Sequence, residues 1–342
     1  MENDFTELDA LLAEIQNSSK KTRDQRAWVM GDGDGFKLER IPLGIPALDR
    51  MLHGGIPKKR MTLLTGQPSC GKSYIATQAC AQVQKAGGTV GWIDAELSWD
   101  KDWIAQCGLD PSKVMVAQPT TGEEAMEVLA EWLDGIKLDE QGKTRTAPVD
   151  IIVLDSLAAL CPKNIQEDEY EKSPMAWQSR FINSSFPRFF SKIQNGSAFI
   201  AINQQRAAIG NYQPTMPGGI GQEFYSHLMM EVRRGGWLPN KEAKAGERTG
   251  FNMRFKITKT KVGGLVEDTC EAPFTYDEGI KEQEVFIDEG LYQNIIETTS
   301  AGRYEYQEQK FHGRKTLLKE MEENPELYDR LKEEVRKYAP TL

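Results

Sequence analysis

The chain is poor in the residues that build metal centres and covalent cross-links. Its five cysteines, Cys70, Cys80, Cys107, Cys161 and Cys270, are far apart and form no C-x-x-C pair, which excludes a zinc ribbon and a disulfide framework. The three histidines, His53, His227 and His312, are equally scattered, and a lone histidine without partners is structural or solvated. No apolar run approaches the length of a bilayer span, and no charged segment leads into an apolar run at the N-terminus, so a cytoplasmic protein without membrane contact is expected. Basic residues are also short: 42 Lys and Arg stand against 51 Asp and Glu, a net charge of −9. That balance excludes a protein that coats nucleic acid through an overall basic surface, because such affinity comes from phosphate neutralisation. Any nucleic-acid contact has to be local.

What the 342 residues do hold, with 39% hydrophobic content, is enough apolar material for one large α/β domain with smaller appendages. Phe5, Leu8, Leu12 and Ile15 recur at helical spacing and predict a short amphipathic helix whose apolar face needs a partner. Gly31-Asp32-Gly33-Asp34-Gly35 follows as a flexible connection; it is not a calcium loop, because Phe36 stands where a ligand oxygen is required. From Arg40, β-rich runs alternate with helical stretches. Met61 to Leu64, Thr89 to Ile93, Asp150 to Leu154 and Ala198 to Ile202 are the clearest strands, and their alternation with helices predicts a largely parallel sheet. Leu228 to Val232 and Phe251 to Thr258 are consecutive strands, which predicts an antiparallel extension. After Tyr276 the β pattern fades, and Lys315 to Tyr338 is a charged helical region split near Asn324-Pro325. The expected division is 1–37 as helix and linker, 38–277 as the core, and 278–342 as a small C-terminal α+β domain.

The sharpest signal is Gly66-Gln67-Pro68-Ser69-Cys70-Gly71-Lys72-Ser73, a full G-x-x-x-x-G-K-[ST] match with an apolar strand before it and a helical run from Tyr74 to Lys85 after it. Its glycines let backbone N–H groups curl around phosphates, the helix N-terminus adds a positive dipole end, Lys72 reaches the β and γ phosphates, and Ser73 ligates Mg²⁺. ATP with Mg²⁺ is the expected ligand. Asp150 to Asp155 is an apolar strand ending in a carboxylate that can hold the metal's water shell. A further strand ends Trp92-Ile93-Asp94-Ala95-Glu96. Periodicity alone leaves Glu96 open between a general base for the attacking water and a solvated strand-end acid.

Ile93-Asp94-Ala95-Glu96, then Gln118-Pro119-x-Thr121-Gly122-Glu123, then Val153 to Leu160 resemble the bacterial RecA family in order and spacing. The resemblance continues through Ala201-Ile202-Asn203-Gln204, Gly218-Gly219, Phe224-Tyr225, Val232-Arg233-Arg234 and Lys256 to Lys261, and on to Ala301 to Tyr306 and Glu323 to Glu326. It spans roughly residues 38 to 340. It implies a RecA-like P-loop ATPase core and a DNA-dependent ATPase that forms helical filaments on single-stranded DNA and exchanges strands with homologous duplex DNA. By resemblance Glu96 is the general base and Gln204 the γ-phosphate sensor at the start of a DNA-binding loop. Asp100, Trp103 and Tyr276 surround the adenine, beside Tyr74 of the phosphate-loop helix. Lys259 and Lys261 reach across to a neighbouring subunit's phosphates, where spacing alone reads only as a lysine-rich strand end. The leading helix is then a polymerisation element, although it matches only in pattern.

Two loops would line the filament axis by the same resemblance, one near residues 165–173 leading into Met175 and Arg180, the other from about Gln205 to Gly219. In the second, Arg206, Ile209, Gly218 and Gly219 match the family as a phosphate contact, an apolar wedge and two permissive glycines. The chain departs from the family in a shorter second loop with Ala207 and Ala208, in an acidic first loop and in the lack of an acidic tail. These departures point to a divergent, or phage-encoded, member, with any loading or mediator protein left unassigned. A hexameric helicase would share the phosphate loop, Asp155 and Glu96, but not the Lys259-Lys261 pair or the Gly218-Gly219 loop. A non-catalytic scaffold would lack Lys72, Glu96 or Gln204, and all three are present.

Overall fold

The computed structural model describes residues 38–138, 145–163, 174–205, 216–219, 221–238, 248–299 and 302–337, without the side chains of 136–138, 145–147 and 174–177. The predicted leading helix and the 31–35 glycine stretch lie outside these residues, as does most of each predicted DNA loop.

A sheet of nine strands organises residues 40–337. In chain order its strands are β1 (Met61–Gly66), β2 (Val90–Asp94), β3 (Val114–Ala117), β4 (Ile151–Asp155), β5 (Ala198–Gln204), β6 (Leu228–Trp237), β7 (Gly250–Thr260), β8 (Thr269–Thr275) and β9 (Gly279–Ile280). They lie side by side as β9-β8-β7-β6-β1-β5-β4-β2-β3. From β6 to β3 every pairing is parallel; from β6 to β9 every pairing is antiparallel. Both predicted halves of the sheet are therefore present.

The central strands are apolar throughout because both faces are covered. Met61, Leu63, Ile152, Leu154, Phe199 and Ala201 pack on one face, against Ala125 and Leu129 of helix α2 (Gly122–Asp134) and Ile182 and Phe186 of α3 (Pro174–Phe190). The alternating residues Leu64, Ile151, Val153, Ile200 and Ile202 pack on the other, with Ile75 and Ala79 of α1 (Lys72–Lys85). This period-two partition sets the register and sends every parallel strand's C-terminus to one edge. The short helix α4 (Gly221–Tyr225) leads into β6 at the opposite edge.

Past β9 come helix α5 (Glu282–Tyr292), an antiparallel sheet of Glu297–Thr299, Arg303–Tyr306 and Gln309–His312, and helices α6 (Arg314–Glu323) and α7 (Pro325–Lys337). The small sheet agrees with the α+β character expected of this segment, although the sequence pattern did not place its strands. Its strands carry mostly exposed, charged residues, so no apolar alternation marks them. Phe286, Leu317, Leu331 and Val335 belong to the same apolar cluster as Ile41 and Leu48 of the core. Arg50 donates to Glu289 Oε1 at 2.7 Å across that boundary, and Glu289 is only 2% exposed.

Candidate nucleotide-hydrolysis site

The site grows from the turn between β1 and α1. Gly66 has φ +150°, Ser69 +56° and Gly71 +96°. A Cβ on Gly66 would stand 2.1 Å from the Val232 backbone carbonyl, so packing as well as conformation demands glycine there, whereas at Gly71 it is the positive φ that demands it and only the tip of Met253 would have to shift. Gly71 caps α1 with no side-chain acceptor, which leaves the first N–H groups of the helix for an anion. Lys72 is buried, with Nζ donating to the Gly66 carbonyl at 3.2 Å and the Gln67 carbonyl at 2.7 Å.

The neighbouring strand ends deliver the acidic groups. Ser73 Oγ donates to Asp155 Oδ2 at 2.6 Å. Burial pushes the Asp155 carboxyl up to about 6, opposed by the Ser73 hydrogen bond and reinforced by the charges of Glu96 and Asp94. A divalent cation at this hydroxyl–carboxylate pair would relieve that burial, so the pair fits the expected Mg²⁺. Glu96 Oε1 accepts from Gln204 Nε2 at 2.7 Å and from the Ser156 hydroxyl. The expected base and the expected sensor thus lie in direct contact, and both donors engage one carboxylate oxygen.

Asp94 is a residue the sequence reading passed over. Fully buried, it accepts the backbone N–H groups of Ser98 and Trp99, each at 3.0 Å, and Gln118 Nε2 at 2.9 Å. Its carboxylate folds the turn that presents Glu96. The available signal was a charged residue closing an otherwise apolar strand, which requires paired donors once buried.

Trp103 and Tyr276 line one cavity of about 470 Å³ with Tyr74 and Phe274. Tyr74 is buried edge-on against Phe274, and its hydroxyl accepts the Ile280 N–H at 2.9 Å. Asp100 does not line this cavity; it caps the helix Lys101–Gln106, which carries Trp103, by accepting the backbone N–H groups of Asp102 and Trp103.

Lys259 and Lys261 are not at this edge. Lys259 is paired with Met229, which is level with Leu63 of β1, and the Lys261 N–H donates to the His227 carbonyl. Their ammonium groups donate to the Glu223 and Phe224 carbonyls of α4. Burial, and then the Lys261 charge, lower the Lys259 pKa. Beside them, burial first and then Arg60, Lys261 and Lys259 push His227 down to about 4, in keeping with an Nδ1 that accepts the Met61 N–H at 3.3 Å.

Among the expected DNA contacts, Met175 and Arg180 lie in α3, and Arg206 and Ile209 fall outside the described residues. Gly218 and Gly219 have φ +94° and +70°, and their Cβ positions would meet Ile182 and Ser179 of α3. Their closest approach is to that helix.

Residues 7–281 match the family model of the RecA N-terminal domain, which lies over this sheet and its phosphate edge and places the fold among P-loop ATPases of recombination. The chain is 33% identical over 335 residues to the RecA protein of Corynebacterium glutamicum (strain R), covering 96% of this chain and 84% of that protein. It is 31% identical over 342 residues to that of Legionella pneumophila (strain Corby), covering 98% and 92%. With the RecA protein of Rubrobacter xylanophilus it shares 32% identity over 335 residues, covering 96% and 91%. The chain belongs to the RecA family; it is a DNA-dependent ATPase and strand-exchange recombinase of DNA recombination and repair.

Proposed function

We propose that ATP is hydrolysed at the C-terminal edge of the parallel strands, in a site completed by a second copy of this chain. The phosphates lie on Gly66, Gln67, Pro68, Ser69, Cys70, Gly71, Lys72 and Ser73, and Tyr74, Asp100, Trp103 and Tyr276 shape the base pocket. Ser73 and Asp155 would hold Mg²⁺, which would supply positive charge to offset that of the phosphates. Glu96 activates the attacking water through Oε2, since Oε1 is engaged by Gln204 and Ser156. Gln204 reports the γ-phosphate to the loop that begins beside it. That 2.7 Å contact between Glu96 and Gln204, next to the Ser73–Asp155 pair, carries the reading.

Lys259 and Lys261 supply charge to a neighbour's phosphates. Lys261 is level with Met61, five residues from Gly66 along β1, or roughly 16 Å at the rise of a strand. A lysine at that edge serves its own phosphate loop poorly and a neighbour's loop well. Single-stranded DNA, then homologous duplex, contact Met175, Arg180, Arg206, Ile209, Gly218 and Gly219 along the filament, which residues 1–37 help to polymerise in the cytoplasm. Residues 278–342 form the small C-terminal domain. No described helix is long and apolar enough to cross a membrane.

The test is ATP turnover with and without single-stranded DNA, paired with electron micrographs in a non-hydrolysable ATP analogue. Strong stimulation with helical filaments is expected; DNA-independent turnover or closed rings would contradict the proposal.

A further inference from the structure

Two buried side-chain amides fasten the end of the second loop to the strand of Gln204. Asn203 and Gln222 are both fully shielded from solvent. Asn203 Oδ1 accepts the Gln204 backbone N–H at 2.8 Å, and Asn203 Nδ2 donates to the Pro217 carbonyl at 2.8 Å and to Gln222 Oε1. Gln222 Nε2 donates to the Pro217 carbonyl at 2.8 Å and the Gly219 carbonyl at 3.1 Å. Turning either amide over would set oxygen against oxygen, so the network holds one orientation.

The network is also continuous with both edges of the sheet. On one side Gln204 donates to Glu96. On the other, Gln222 lies in α4, where Ser226 Oγ donates to its carbonyl at 2.6 Å and the next two carbonyls take Lys259 and Lys261. A shift of the Gln204 backbone therefore has to move Pro217 to Gly219, and with them the helix whose carbonyls hold the two lysine ammonium groups. Buried polar networks of this kind are stiff because each unpaired member is costly.

We propose that Gln222 is a positioning residue that couples nucleotide state to DNA occupancy, an inference that rests on the reading of Gln204 as γ-phosphate sensor. Leucine at 222 would fill the space but leave the Gly219 carbonyl without its donor and reduce the Pro217 carbonyl and Asn203 Nδ2 to the one hydrogen bond between them; glutamate would still accept from Asn203 but would face the Pro217 and Gly219 oxygens.

Gln222→Leu and Gln222→Glu are tested in the full chain by ATP turnover with and without single-stranded DNA, and by DNA affinity in ADP and in a non-hydrolysable ATP analogue. Expected in either soluble variant is DNA-independent turnover within about twofold of wild type, DNA stimulation reduced about tenfold, and a smaller difference in DNA affinity between the two nucleotide states, mirrored by an equally smaller effect of DNA on nucleotide affinity, since binding coupling is reciprocal. Stimulation kept within about twofold overturns the proposal, as does a uniform loss of DNA affinity in both nucleotide states, which would mark mere support of loop shape. Failure of both variants to fold would assign Gln222 to stability and overturn it as well. Gln204→Ala separates the two layers: full stimulation there removes the sensor reading, whereas loss there with normal Gln222 variants removes this inference alone.

Discussion

Glu96 has two donors on one oxygen and none recorded on the other, an arrangement suited to a base that must hold its direction while it takes a proton. Glu96→Gln should therefore bind ATP and form long-lived DNA filaments with turnover lowered about a hundredfold or more, whereas Lys72→Ala should lose nucleotide-dependent DNA binding. Equal loss of filaments in both variants, seen by electron microscopy, would remove Glu96 from the hydrolysis step. Asp155 tests the electrostatics. Its folded pKa, about 6, is raised above the ordinary 3.8, so the fold prefers the protonated acid, and that contribution to stability is lost as pH rises toward and through 6. Asp155→Asn should stabilise the Mg²⁺-free protein by roughly 3 kcal/mol at pH 7.5 and by little near pH 4, while abolishing Mg²⁺-dependent turnover. Thermal melts at the two pH values decide it; a destabilised variant at pH 7.5 would contradict the account. At this scale the phosphate loop was legible because one short segment carries the whole motif. Asp94 and Gln222 were not, because their meaning lies in partners 24 and 19 residues away.

Among the elements, the buried parallel strands were readable from apolar runs, and the start of α7 from Pro325. Val114–Ala117 and Thr269–Thr275 escaped, the first as a four-residue edge strand with no buried residue, the second as a strand with a single one. The division of residues 278–342 from the core, expected where the β pattern fades, meets an apolar cluster that runs across the boundary and the Arg50–Glu289 pair, which seats α5 on the core and stacks Arg50 4.0 Å from the Tyr292 ring centroid. Removing the cation would leave a nearly inaccessible carboxylate without a counter-charge, held only by the Gln293 amide at 2.8 Å. Arg50→Ala should cost about 3 kcal/mol in urea unfolding, with one transition for the core and the C-terminal elements together; two separated transitions would show that α5 is held independently.

For the whole molecule, the two edges of the sheet carry different sets of side chains. One edge gathers Lys72, Ser73, Glu96, Asp155 and Gln204; the other carries Lys259 and Lys261 on the carbonyls of α4. A head-to-tail assembly brings unlike edges together and extends without closing when its rotation does not close, which suits a filament on DNA and explains how a net charge of −9 coexists with DNA binding: cations are needed only along one line. Strand order and edge assignment could not be taken from the sequence, since they depend on which strands pair across the chain. The central claim, a site shared between protomers, is tested most directly by mixing two inactive proteins, Lys72→Ala and the Lys259→Ala/Lys261→Ala double variant, in equal amounts on single-stranded DNA. Random mixing gives about a quarter of interfaces an intact phosphate loop facing intact lysines, so turnover should recover to about that share of wild type; a mixture as inactive as its components would contradict a site built between subunits.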